Sequence, residues 1–291
     1  MWSLSECIPW MTVGLAESIA IVTLNLCTII VFIRNRNLRK RSTYLVINLA
    51  VMDMFVGGVN VQYNLFYVPG IRCNLWKWHV DEAVIFISVL LWLFLSGSLI
   101  NVTIIGLERA HATFFPFRHR VLRQSVYRLA IAVVWVTSGL ITVALTLLGH
   151  FNHWAYLFIS FFSICLLIIC VSYTCIVIKF RCGVQPQHHG AASRERKLTM
   201  TLLIVTAVSL LFYLPSTVYW LAIAISKFES WLSLSRRWHL NLASLVLLYA
   251  NSLVNPILYA IRMPEYRSAL LALFRKPEEH RQDAVFPLRE I

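Results

Sequence analysis

Charge is scarce in this sequence. Only 13% of the 291 residues are Asp, Glu, Lys or Arg and 59% are hydrophobic, with a mean hydropathy of +0.70, whereas a soluble domain carries charge on about a quarter of its residues. That balance excludes an ordinary soluble globular protein. Catalytic equipment is missing as well: the loops hold no Ser/His/Asp, metal or phosphate-loop arrangement, and the pair His188-His189 has no acidic or cysteine company, so it reads as plain loop. The first ten residues are short and partly polar, with no basic n-region, so no cleavable signal peptide is expected and the first apolar helix serves as its own insertion signal. The lone Asn-x-Ser/Thr match, Asn101-Val102-Thr103, lies inside an apolar run that no glycosyl transferase could reach.

Long uncharged runs are what the chain has instead. Ala83 to Leu107 holds 25 residues without a formal charge, about 37 Å of helix against the roughly 30 Å of a bilayer's hydrocarbon core. Charge-poor runs also occur at Met11–Ile33, Thr43–Ile71, Leu129–Ile178, Leu198–Ser226 and Trp238–Ile261. The fourth run along the chain, Leu129–Ile178, is long enough for two crossings joined by a tight turn at 149–153, which makes seven helices. Putting the N-terminus outside leaves 21 of the 26 Lys and Arg on inner segments, with Arg72, Lys77, Lys227, Arg236 and Arg237 outside; this is a strong positive-inside bias. The net charge of +13 is strung along helix ends and suits anionic inner-leaflet lipid, not nucleic acid. The expected plan is a plasma-membrane protein with an all-α seven-transmembrane-helix bundle. Residues 1–10 form a short extracellular N-terminus and 11–263 the bundle. Residues 264–276 form an amphipathic helix on the cytoplasmic surface, and 277–291 a disordered cytoplasmic tail.

Polar residues inside these runs are costly and mark candidate sites. Glu17 and Asn25 fall in helix one, and Asp53 is the only charge in helix two, so each should face the bundle interior. Asp53 reads either as a functional carboxylate or as a protonated acid tied into structural hydrogen bonds. Ser98 and Arg109 sit about three turns apart on one face of helix three. Pro215 frees a carbonyl in helix six and makes a hinge, and Asn251, Asn255 and Tyr259 share a face of helix seven beside Pro256. A transporter or channel relaying ions through Asp53 and Glu17 is the rival reading. It calls for an internal repeat, and the odd helix count and single-copy motifs oppose it.

Taken in order, these motifs resemble the rhodopsin-like (class A) G protein-coupled receptors over about residues 11–276. The matching residues are Asn25, Leu49-Ala50-x-x-Asp53, Glu108-Arg109, Pro116, Trp135, Tyr173, Pro215 and Asn255-Pro256-x-x-Tyr259. The resemblance implies a receptor, not an enzyme, that transmits an extracellular ligand to a heterotrimeric G protein. It also implies a switch in which Arg109 is held by Glu108 and reached by Glu195, then turns toward Tyr173 and Tyr259, with Pro215 and Tyr213 at the bend of helix six and Pro256 at that of helix seven. Asp53, Ser98, Asn251 and Asn255 would form a mid-membrane site able to hold a sodium ion, braced by Asn25; no obligatory cofactor is implied. Ala110 and Tyr213 depart from the family's usual tyrosine and tryptophan. Its helix-five proline is absent, as are both cysteines of its outer disulfide; these absences are shared with melanocortin and cannabinoid-type receptors. A light-sensing version would need a lysine in helix seven, and Trp238–Ile261 has none.

Helical spacing suggests a ligand pocket from Tyr63 and Asn64 in helix two and Ser88, Leu91, Trp92 and Leu95 in helix three. Tyr213, Thr217 and Trp220 in helix six would join them with Leu245 and Tyr249 in helix seven, although any of these can be ordinary packing. Leu91 stands where monoamine receptors carry their acid, so the expected ligand is neutral, lipid-like or a peptide, and not a monoamine. Cys7 and Cys73 are the two cysteines on the oxidising side. They form either a disulfide or two free thiols, because sequence does not give their separation.

Overall fold

A computed structural model describes residues 4–38, 41–73, 81–148, 154–182, 204, 207–209, 211–223 and 233–274. Every regular element among them is helical. Six helices are long and apolar enough to cross a membrane, and a shorter apolar helix spans Ala207–Ile223. The first helix runs over Leu4–Arg34, the second over Thr43–Gln62, and the third over Asp81–Phe114. The fourth is Gln124–Leu148 and the fifth Trp154–Cys182. Ala207–Ile223 is the sixth, and the seventh covers Leu234–Arg262, ahead of a short terminal helix at Pro264–Phe274. The chain is thus a multi-pass membrane bundle. Its lipid-facing side is apolar: Leu140 and Leu147 of the fourth helix and Ile164 and Leu167 of the fifth are all more than half exposed, as helices surrounded by hydrocarbon require.

Several boundaries differ from the sequence expectation, each for a physical reason. The first helix starts at Leu4 and not Met11, so the segment expected as a free N-terminus is already helical. Glu6 complements the positive end of the helix dipole in that first turn, and Pro9 lies early enough to disturb only the Ser5 carbonyl. The second helix does not run on unchanged to Val68: from Tyr63 to Arg72 it widens into a π-helix containing Pro69. The segment after the third helix is not plain loop. Pro116 opens a short connector helix, Pro116–Val121, because a proline at the first helical position loses no bond. Ser233 caps the seventh helix by accepting from the Arg236 amide, which places Arg236 and Arg237 on its first turn. The turn at 149–153, His188, His189, Glu195 and the tail 277–291 lie outside the described residues.

The first helix packs on the second and seventh, the second on the third, and the third on the fourth and fifth. One close approach depends on glycine. A Cβ at Gly57 would stand 2.8 Å from Ile21 Cγ2 and 3.0 Å from the Ser18 carbonyl oxygen, so the second helix can lie against the first only without a side chain there. Asn48 joins three helices: its amide donates to Asn101 Oδ1 at 3.2 Å and its oxygen accepts from Trp135 Nε1 at 3.1 Å. Asn101 Nδ2 in turn donates to the Leu45 carbonyl at 2.8 Å. The terminal helix is moored by Tyr266, whose hydroxyl meets Thr28 Oγ1 at 2.8 Å; burial pushes that phenol's pKa up, which keeps it protonated.

Candidate functional site

Pro256 has no N–H, so the Ser252 carbonyl, four residues earlier, loses its partner within the seventh helix. Asn25 Nδ2 supplies one from the first helix at 2.9 Å, and also bonds the Ile21 carbonyl at 2.9 Å. This bond links the seventh helix to the first at the level of Asp53. Asp53 is fully buried and its carboxylate collects donors from two other helices. Oδ1 accepts from Ser98 Oγ at 2.6 Å and Ser252 Oγ at 2.8 Å, and Oδ2 accepts from Asn255 Nδ2 at 2.8 Å.

The expected residues Asp53, Ser98 and Asn255 therefore come together. Asn251 does not bond Asp53: its amide donates to the Tyr213 hydroxyl at 2.9 Å, forming a layer beside the carboxylate that reaches the sixth helix. Ser252, which the sequence reading missed, takes the place next to Asp53. Its position three residues before Asn255, on the same helical face, was the available signal. The Oδ1 atoms of Asn25, Asn251 and Asn255 are buried with no hydrogen-bond partner among the described residues. Oxygen donors around one buried carboxylate are what a hard monovalent cation requires, so the residues present fit a sodium ion.

At the opposite level of the third helix, Arg109 is only 4% exposed. Both Nε and Nη2 donate to the carboxylate of Glu108, a bidentate clasp between sequence neighbours. Glu108 holds more than the arginine. His119 Nε2, on the connector helix, lies 2.7 Å from Glu108 Oε1, and the Tyr127 hydroxyl of the fourth helix donates to the same oxygen at 3.2 Å. Neither partner was found in the sequence, because the connector helix that aims His119 back at the third helix was not foreseen. Tyr173 is buried near Gly106, one turn from Arg109: a Cβ on that glycine would lie 3.9 Å from its hydroxyl. The buried Tyr259 hydroxyl has no partner among the described residues, and its ring packs on Phe32 and Tyr266. Pro215 is part-buried one turn from Ser209–Tyr213 on the sixth helix, where Ser216 Oγ donates to the Ser244 carbonyl at 2.7 Å.

The expected pocket residues divide into two groups. Tyr63, Asn64, Leu245 and Tyr249 line a small, partly open cavity between the first, second and seventh helices, together with Trp10, Glu17 and Asn60. Ser88, Leu91, Trp92, Leu95, Tyr213, Thr217 and Trp220 do not line it. Leu91, Leu95, Tyr213 and Thr217 are buried among their neighbours, and Trp92 stands edge-on to Phe158 with centroids 5.2 Å apart. The cavity is displaced toward the first helix because Gly14 lets Asn64 approach: a Cβ there would lie 2.1 Å from Asn64 Oδ1. Beside it, Cys7 and Cys73 are joined as a disulfide with Cα atoms 6.1 Å apart, and the Cys73 amide donates to the Val68 carbonyl in the cavity wall.

Comparison with known proteins agrees with this architecture. The sequence model described as 7 transmembrane receptor (rhodopsin family) matches residues 24–155 and 151–259. The Histamine H2 receptor of Canis lupus familiaris is 27% identical over 275 residues, covering 84% of this chain and 74% of that protein. The Neuromedin-K receptor of Rattus norvegicus is 23% identical over 309 residues, and the match covers 94% of this chain but only 63% of that receptor's length. Dopamine receptor 2 of Drosophila melanogaster is 33% identical over 144 residues, 47% of this chain and 26% of that protein. With the family match running across the bundle, from Asn25 through the Asp53 cluster to Tyr259, this chain belongs to the rhodopsin family of seven-transmembrane receptors.

Proposed function

We propose that this receptor passes binding of an extracellular ligand to a heterotrimeric G protein, with the N-terminus outside the plasma membrane and the Arg109 end in the cytoplasm. The observation that carries this reading is the buried, bidentate Glu108–Arg109 clasp. A cation held by its own neighbour, close to Tyr173, is a closed latch that a change in helix packing can open. Ligand and G protein each favour the open packing by binding it more tightly. Glu195 would add a second hold on Arg109 from the base of the sixth helix, and Tyr259, whose hydroxyl lacks a partner among the described residues, is a group for the freed arginine to meet.

Asp53, Ser98 and Asn255, with Ser252 as a further oxygen donor, would hold a sodium ion, which would favour the closed packing because a contracting bundle would crowd it. On the outer side, the Cys7–Cys73 bond pins the start of the first helix over the cavity mouth. The ligand is neutral, lipid-like or a peptide reading the outer rim; Leu91 and Leu95 of the third helix are buried outside the cavity and offer no acid to anchor a monoamine there. A second-messenger screen of transfected cells against ligand libraries tests the function. A ligand that activates the wild type and fails on Arg109→Ala at equal surface expression supports it. Ligand-driven ion flux in proteoliposomes, with no G protein activation, overturns it.

A further inference from the structure

The cavity between the first, second and seventh helices contains a carboxylate that neither the Arg109 latch nor the Asp53 cluster uses. Glu17 is 9% exposed, and its Oε2 is buried with no hydrogen-bond partner among the described residues. No lysine, arginine or histidine is among the residues lining the cavity, so Glu17 is either a protonated acid or a carboxylate whose positive partner comes from outside the lining. The neighbouring asparagines donate elsewhere. Asn60 spends an amide hydrogen on Ser18 Oγ at 2.8 Å, and Asn64 spends its own on the Asn60 carbonyl at 2.8 Å and on Asn60 Oδ1 at 3.2 Å.

Aromatic rings complete the wall. Trp10, Tyr63 and Tyr249 line the same space as Glu17, and an acid with several electron-rich ring faces is the set of groups that recognises an organic ammonium. Trp10 is fixed in place: its Nε1 donates to His239 Nδ1 at 2.9 Å, which leaves the imidazole proton on Nε2, facing Glu6 Oε1 at 3.6 Å. The enclosed part of the space is small, about 20 Å³, so an ammonium head group takes the open mouth of the cavity.

We propose that this cavity is a binding site for an organic ammonium group, with Glu17 as its counter-ion and Trp10, Tyr63 and Tyr249 as its ring walls. The site rests on the receptor reading only for which side of the membrane it opens to. The charge is anchored from the first helix, so the absence of an acid at Leu91 rules out a cation at the third helix and not at the receptor. The ammonium can belong to a free small amine or to the amino terminus of a peptide.

The test is isothermal titration of purified receptor in lipid nanodiscs at fixed sodium and ionic strength. Choline is compared with its neutral carbon counterpart 3,3-dimethylbutan-1-ol, and a short peptide with a free amino terminus is compared with its acetylated form. Expected is saturable binding of at least one cation about tenfold tighter than its neutral counterpart. Preference for choline identifies a small-amine site and preference for the free peptide an amino-terminus site. Glu17→Gln should erase the preference, and Trp10→Leu should weaken it several-fold. Absence of saturable binding by both cations, equal binding of cation and neutral counterpart, or a preference that survives Glu17→Gln overturns the proposal. The comparison on wild-type protein needs no variant to fold. No G protein is present, so failure here leaves the receptor reading standing, and failure of the second-messenger screen leaves this site standing.

Discussion

Glu108 shows how unequal the partners of one side chain can be. Two of its bonds run to the Arg109 guanidinium and the others to His119 and Tyr127. Only the first pair bears on whether the arginine can leave. Glu108→Gln should raise ligand-free signalling, since losing about 1.4 kcal/mol shifts a two-state ratio about tenfold. His119→Ala keeps both guanidinium bonds and should change basal signalling by less than about fivefold, in line with the roughly 0–1 kcal/mol of pairs near a surface. Equal effects at matched surface expression would place the latch elsewhere. At Asp53, the thermal midpoint of purified protein should be higher in sodium chloride than in potassium chloride, by about 2–4 °C for each kcal/mol of sodium binding. Asp53→Asn should abolish the difference. A wild type indifferent to the exchange would reduce the cluster to hydrogen bonding alone. The carboxylate itself was legible, because a lone acid in an apolar run identifies itself. Ser252 was not, since a serine in a helix is ordinary until its neighbours are known, and His119 was hidden because its contact depends on how a six-residue helix is aimed.

Among the elements, the second helix combines a tight approach with a change of winding. Gly57→Ala should destabilise the protein by about 1–3 kcal/mol through overpacking against Ile21 and the Ser18 carbonyl. Gly58→Ala meets nothing within 4 Å and should be neutral or stabilising by up to about 1 kcal/mol through helix propensity. Melting of the two variants in the same detergent gives the comparison, and equal shifts would mean that helix contact does not govern Gly57. Sequence periodicity separated most spans well, because twenty apolar residues can do little else in a bilayer. It could not foresee the π-helix from Tyr63 to Arg72, since a change of hydrogen-bond register leaves no mark on hydrophobic periodicity.

At the scale of the whole molecule, the first helix is tied at three depths: Cys7 to Cys73 at one end, Asn25 to the seventh helix in the middle, and Thr28 to the terminal helix below. Cys7→Ser should lower stability by about 2–4 kcal/mol. A reducing agent should lower the melting temperature of the wild type and leave that of the variant unchanged; equal sensitivity would deny the bond any role. The middle tie has another consequence, one of rate. The Ser252 carbonyl is held by a single neutral hydrogen bond from another helix, a net contribution of about 1 kcal/mol, which is less than twice the thermal energy of about 0.6 kcal/mol at room temperature. A rung that weak breaks and reforms continually, so the bend of the seventh helix at Pro256 is a spread of angles sampled on the fast side of the microsecond-to-millisecond range of collective helix motions. The slow step in opening such a bundle lies elsewhere, in groups that must exchange partners together: the buried carboxylate of Asp53 with its three donors, and that of Glu108 with Arg109, His119 and Tyr127.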